Sequence, residues 1–64
     1  MSTYKYSIGQ KVLMKSYNPW IGEYTAPVII AGFGNVFLNG VPTYSITIGG
    51  EMWDEISEAL LEKE

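Results

Sequence analysis

Hydrophobic and polar positions along the chain predict short strands divided by turns. Lys11, Leu13 and Lys15 alternate with Val12, Met14 and Ser16. That is the period of two expected of a strand, over Lys11–Ser16, with Val12 and Met14 facing inward. Ile8-Gly9-Gln10 introduces it as a turn, and Tyr17-Asn18-Pro19-Trp20-Ile21-Gly22 reads as a loop. A second strand is expected to begin near Pro27, because proline lacks the ladder donor and suits a strand start. Val28, Ile29 and Ile30 follow as strong β formers, and Gly32-Phe33-Gly34 marks a bulge or sharp bend. Asn39-Gly40 predicts a two-residue hairpin between Val36–Leu38 and the segment after Val41, which puts Pro42 on an edge or outside the ladder. Thr43, Ser45 and Thr47 then alternate with Tyr44, Ile46 and Ile48, a third strand with one buried face that Gly49-Gly50 ends.

The period changes after Glu51-Met52-Trp53. Trp53, Ile56, Ala59 and Leu60 lie at helical spacing, with Glu55, Glu58 and Glu62 outward, and predict a short C-terminal helix. The competing reading is a strand through Met52–Ile56 followed by a 3-10 turn at Ser57–Ala59. Periodicity assigns Tyr44 and Trp53 to the core. These signals make one mostly β domain over residues 1–64, a small barrel of four or five antiparallel strands ending in a short helix or 3-10 turn.

The order of the signals resembles the SH3-like small barrels. It has the Ile-Gly-x-x-Val type of opening at Ile8-Gly9-Gln10-Lys11-Val12, then a variable loop and a hairpin meander. It closes on a short turn with the apolar pair Leu60-Leu61. The resemblance covers most of residues 6–61 and implies an architecture, not a task, because such barrels serve many unrelated functions. The Ala-Leu-Tyr-Asp-Tyr strand of peptide-binding SH3 domains is missing. So is the Val-Gln-Ile-Tyr strand of the plasmid-borne barrel reductases, which work as tetramers around a pore.

Composition sharpens the picture. A 64-residue chain buries only about 60% of its unfolded surface. With no cysteine and no histidine, disulfides, thiolate metal sites and the commonest general base are all missing. No calcium-loop motif is present, and no cofactor or metal is expected. Ser2, Ser7, Ser16, Ser45 and Ser57 have no histidine to activate them. Glu51 or Asp54 with Glu55 reads as surface charge rather than an acid–base pair, and Gly32-x-Gly34 is too short for a phosphate-binding loop. No catalytic residue is expected, and an enzyme would require an oligomeric pore that aligns substrates without a dedicated acid or base. The N-terminus lacks a secretory stretch, and the apolar run Ala26–Leu38 is too short for a membrane helix. Together with the absence of cysteine, this points to the cytoplasm and away from membranes.

Charge is uneven. Residues 1–23 carry a local net of about +2, residues 24–50 carry no charged side chain, and residues 51–64 carry about −5. Apolar residues make 47% of the chain and charged ones 17%, so some apolar surface is expected to stay exposed. The first functional reading is a small non-enzymatic adaptor or inhibitor acting through protein contacts. Its charge-free Val28–Leu38, with Phe33 and Phe37, would pair with a second copy in a homo-oligomer or with another protein. The alternative is a nucleic-acid or modified-peptide reader that uses Tyr17 and Trp20 with Lys5, Lys11 and Lys15. Against the aromatic-loop reading stands Trp20 folding back to cap one end of the barrel. Candidate contact residues are Tyr17, Trp20, Phe33 and Phe37.

Overall fold

The computed structural model describes residues 4–38 and 40–64, and the side chains of all of these except 35–38. The strands are β1 (Lys11–Asn18), β2 (Gly22–Leu38), β3 (Val41–Ile48), β4 (Glu51–Ser57) and β5 (Leu61–Lys63), with a 3-10 turn, Glu58–Leu60, between the last two. They form one antiparallel sheet in the order β4-β3-β2-β1-β5. The first four strands are a meander, and β5 returns to pair with β1. β4 and β5 are the two edges, so the sheet is not closed by hydrogen bonds.

Each hairpin follows from its turn residues. β1 and β2 pair through Asn18↔Gly22 around Pro19-Trp20-Ile21. The Asn18 carbonyl accepts from Ile21 N–H at 3.3 Å, its side-chain Oδ1 accepts from Trp20 N–H at 2.8 Å, and Gly22 takes φ +83°. This is a three-residue turn closed by a left-handed residue. β2 and β3 meet in the register Leu38↔Val41 with Gly40 at φ +78°, while Asn39, the other residue of the expected turn, lies outside the described residues. Gly49 and Gly50, both at positive φ, close the Ile48↔Glu51 hairpin.

Three expectations need correction. β2 begins at Gly22, not near Pro27, and proline sits inside it. Ile30 turns its N–H and carbonyl toward Gln10 and Gly9 on the β1 side. Pro27, three residues earlier, therefore faces away from β1, beyond the point where β3 stops pairing. No ladder donor is missed. Pro42, by contrast, sits on an edge as expected: it pairs with Phe37 at a level where β4 has not yet begun to pair. The C-terminal segment is strand followed by 3-10 turn, not helix. Pairing with β3 outweighs the apolar stripe, and Trp53 is left half exposed at the rim of the core. Ser57 caps the turn by accepting from Ala59 N–H.

The core face is lined by Val12, Met14, Val28, Ile30, Tyr44 and Ile46, with Tyr6 and Leu61. β2 bends through register shifts at Ile30/Gly32 and Phe33/Phe37, as the glycines there predict. At Gly34 a Cβ would collide with Thr43 Oγ1 and come within 3.0 Å of Thr43 Cβ, and Thr43 is fully buried. β4 bulges opposite Ser45, where Glu55 is held at φ +56°.

The segment before β1 was assigned no element by its pattern, yet it bridges the open sheet. The Tyr4 hydroxyl donates to the Gly34 carbonyl at 3.1 Å, and its ring lies 4.3 Å from that of Phe33. Lys5 and Tyr6 donate their backbone N–H groups to the Tyr44 hydroxyl at 2.8 and 3.1 Å. That hydroxyl donates to Glu58 Oε2 at 2.5 Å, and the Tyr6 hydroxyl donates to the Leu61 carbonyl. Burial, then the hydrogen bond to Glu58, push the Tyr44 phenol from 10.0 up to about 12, against the opposing effect of the two N–H donors.

Because the folded value lies above the unfolded one, this contribution is complete below pH 10 and is lost as pH rises toward about 12. Two pH units correspond to about 3 kcal/mol. Denaturant titration of wild type between those limits should show that loss, and Tyr44→Phe should show a flatter profile from a starting point roughly 2 kcal/mol lower. Two backbone changes should act in opposite directions in the same assay. Gly34→Ala should cost roughly 2 kcal/mol by overpacking against Thr43, while Glu55→Gly should add about 1 kcal/mol by relieving the left-handed backbone. Equal pH profiles, or a stable Gly34→Ala chain, would contradict this account.

Candidate functional site

β3 pairs with β2 only from Ile29 onward, and β5 pairs with β1 only over Val12–Met14. From Lys15↔Thr25 to the turn, β1 and β2 therefore form a two-stranded ribbon that no third strand flanks. Two-stranded ribbons twist more strongly than wider sheets, so residues of both faces reach a common cleft. Lys15, Ser16, Tyr17, Glu23, Tyr24 and Thr25 line it from the ribbon, and Leu60 lines it from the 3-10 turn. Its volume is about 480 Å³.

The ribbon is short, polar at its strand ends, and apolar at its tip. Trp20 is 90% exposed, and Tyr17 and Ile21 are each 71% exposed. Tyr24 and Leu60 are a little under half exposed. The turn geometry explains why Trp20 does not fold back. Asn18 fixes the Trp20 backbone through Oδ1, and the tip projects beyond the core strands instead of lying over them. Trp20 is not a cap on the barrel.

The four candidate contact residues separate into two places. Tyr17 and Trp20 share the ribbon tip. Phe33 belongs to the aromatic cluster of the N-terminal segment, with Tyr4 at 4.3 Å and Tyr44 at 6.0 Å, and 44% of it stays exposed. Phe37 pairs with Pro42 through the backbone register, and its side chain lies outside the described residues. The sequence reading missed Ile21, Tyr24 and Leu60. Ile21 and Tyr24 flank Gly22-Glu23 in the same turn-rich stretch, so they carried a local signal. Leu60 reaches the cleft only through the tertiary fold.

The charge-free stretch also has a structural explanation. Residues 24–50 supply most of β2 and all of β3, two of the three strands that lie inside the sheet; the third, β1, carries Lys11 and Lys15. Val28 and Ile30 are buried, and both backbone edges of β2 from Ile29 to Ile30 are occupied by neighbours. Over residues 29–30 the Val28–Leu38 segment is flanked on both sides, and from Gly32 to Leu38 it pairs with β3. The acidic residues sit on the outside instead: Glu51, Asp54 and Glu55 on edge strand β4, and Glu62 and Glu64 in or beside β5. Charged side chains and a bulge on an edge discourage strand-to-strand association.

The lysines do not converge. Lys11 Nζ lies 3.5 Å from Glu64, Lys5 Nζ lies over the Tyr6 ring at 5.6 Å, and Lys15 lines the cleft. Among the described residues no group of three or more His, Cys, Asp or Glu side chains is placed to hold a metal ion, and no helix is long and apolar enough to cross a membrane. Comparison with protein-family models, with curated protein sequences and with solved structures found no match to this chain.

Proposed function

We propose that this chain is a small non-enzymatic binding protein of SH3-like architecture, an adaptor or inhibitor that contacts another protein through the β1–β2 tip. The strand order with a 3-10 turn before β5 supports the architectural likeness. The observation that carries the function is Trp20, 90% exposed at the end of an unflanked ribbon, beside Tyr17, Ile21 and a cleft. Large apolar side chains held together in water have a free-energy cost of exposure that a partner removes. Tyrosine and tryptophan are also the residues that most often dominate protein interfaces. The absence of cysteine fits a reducing, cytoplasmic setting.

The nucleic-acid reading has less support. Phosphate binding draws on several cations, whereas only Lys15 stands at the aromatic tip and the chain carries a net charge of −3.

The full chain, Trp20→Asp, Tyr17→Ser and a distant control, Glu51→Lys, should be compared as baits in a cell extract. The expected result is a protein held by wild type and by the control and lost with both tip variants. With that protein purified, the tip variants should bind at least tenfold more weakly. Equal retention by all four baits would remove the tip as the site. Binding of a single-stranded oligonucleotide that weakens with salt and with Lys15→Glu would instead establish the nucleic-acid reading.

A further inference from the structure

We infer that the β1–β2 tip is self-complementary and that two copies of this chain associate through it as a two-fold dimer. The inference rests on the reading of the tip as a protein-contact surface and names a second copy as its occupant.

Three observations carry it. The first is area. Allowing about 200 Å² for each fully exposed large side chain, the exposed parts of Tyr17, Trp20, Ile21, Tyr24 and Leu60 amount to roughly 600 Å². A stable interface takes about 800 Å² from each partner, so the tip supplies an apolar centre that Asn18, Pro19 and the flanking strand residues complete. The second is charge. The ribbon from residue 15 to residue 25 carries one cation, Lys15, and one anion, Glu23. Among the described residues neither forms an ion pair, the salt bridge there joining Lys11 to Glu64. A two-fold axis through the tip brings each Lys15 toward the second copy's Glu23, an arrangement open only to a surface carrying both signs. Association along edge strand β4 would instead oppose Glu51, Asp54 and Glu55 to their like-charged counterparts. The third is shape. The cleft is an open groove of about 480 Å³, and it stands beside a projecting indole. In the dimer, Trp20 of each copy enters the cleft of the other, between Tyr17, Tyr24 and Leu60.

Sedimentation equilibrium of the full chain from micromolar to millimolar concentration tests this. Wild type should show a concentration-dependent dimer. Trp20→Asp should weaken association at least tenfold with an unchanged circular dichroism spectrum. Lys15→Glu and Glu23→Lys should each weaken it alone, because each sets like charges across the axis. An equimolar mixture of those two variants should recover a heterodimer. A monomer at every concentration would overturn the dimer, as would a dimer indifferent to Trp20→Asp and to both charge changes. A monomeric wild type whose captured partner is still lost with Trp20→Asp would reject self-association and leave the binding reading standing. A dimer abolished by these changes would uphold the inference even if no other protein were captured.

Discussion

The phenol of Tyr44 accepts two backbone N–H groups, from Lys5 and Tyr6, and donates its own proton to Glu58. Three parts of the chain that are far apart in sequence meet at that oxygen: the N-terminal segment, the middle of β3 and the 3-10 turn before β5. The sheet leaves β4 and β5 unpaired at its two sides, and an open five-stranded sheet of this size would leave one side of its core wet. The N-terminal segment covers that side, with Tyr6 buried against the core and Tyr4 against Phe33. A backbone run laid across a core must satisfy its N–H groups, and no strand is there to accept them. Tyr44 does so from within the sheet, and burial of an uncharged, fully bonded phenol carries little penalty.

With the core closed in this way, the distribution of the remaining side chains has a simple logic. Where β2 and β3 are flanked on both sides, over residues 29–30 and 44–47, they carry no charged side chain. The outer strands carry the acids, which keep edges apart between molecules. The β1–β2 ribbon beyond Met14 and Ala26 belongs to neither class. It adds no buried residue to the core, yet it holds Trp20 and its neighbours in a defined turn. Isolated two-stranded ribbons are of marginal stability in water, and the apolar tip does nothing to improve this one within a single chain. A surface that contributes so little to folding and is nevertheless so apolar is best understood through contact with another molecule.

Much of this architecture can be read from the residues. Val12 and Met14, and Tyr44 and Ile46, face inward as their alternation requires, and the paired glycines at 49–50 make the turn they suggest. The errors arise where two local preferences compete. Trp53, Ile56, Ala59 and Leu60 match a helix, but only six residues separate the turn at Gly50 from the cap at Ser57, and β3 offers them a ladder. A left-handed Glu55 then breaks the strand period, so the pattern looks helical without being so. Pro27 looked like a strand start because its position relative to β3 is a tertiary fact. The tip was visible as an aromatic loop in Tyr17 and Trp20. Its exposure was not, because whether a loop folds back depends on where the flanking strands end. The role of Glu58 was equally hidden: an acid in a run of acids gives no sign that one of them accepts from a buried tyrosine.

Amide hydrogen exchange at Lys5 and Tyr6 tests most directly the claim that Tyr44 holds the molecule closed. These amides lie near the chain start, outside any strand, where exchange at unprotected rates is the ordinary expectation. The Lys5 N–H, shared between the Tyr44 hydroxyl and Glu58 Oε2, and the Tyr6 N–H, held by the Tyr44 hydroxyl, should exchange only through the global opening that also exposes the amide of Ile30, which donates to the Gln10 carbonyl in the centre of the sheet. Exchange of Lys5 and Tyr6 at the rate of an unstructured peptide, while Ile30 stays protected, would contradict it.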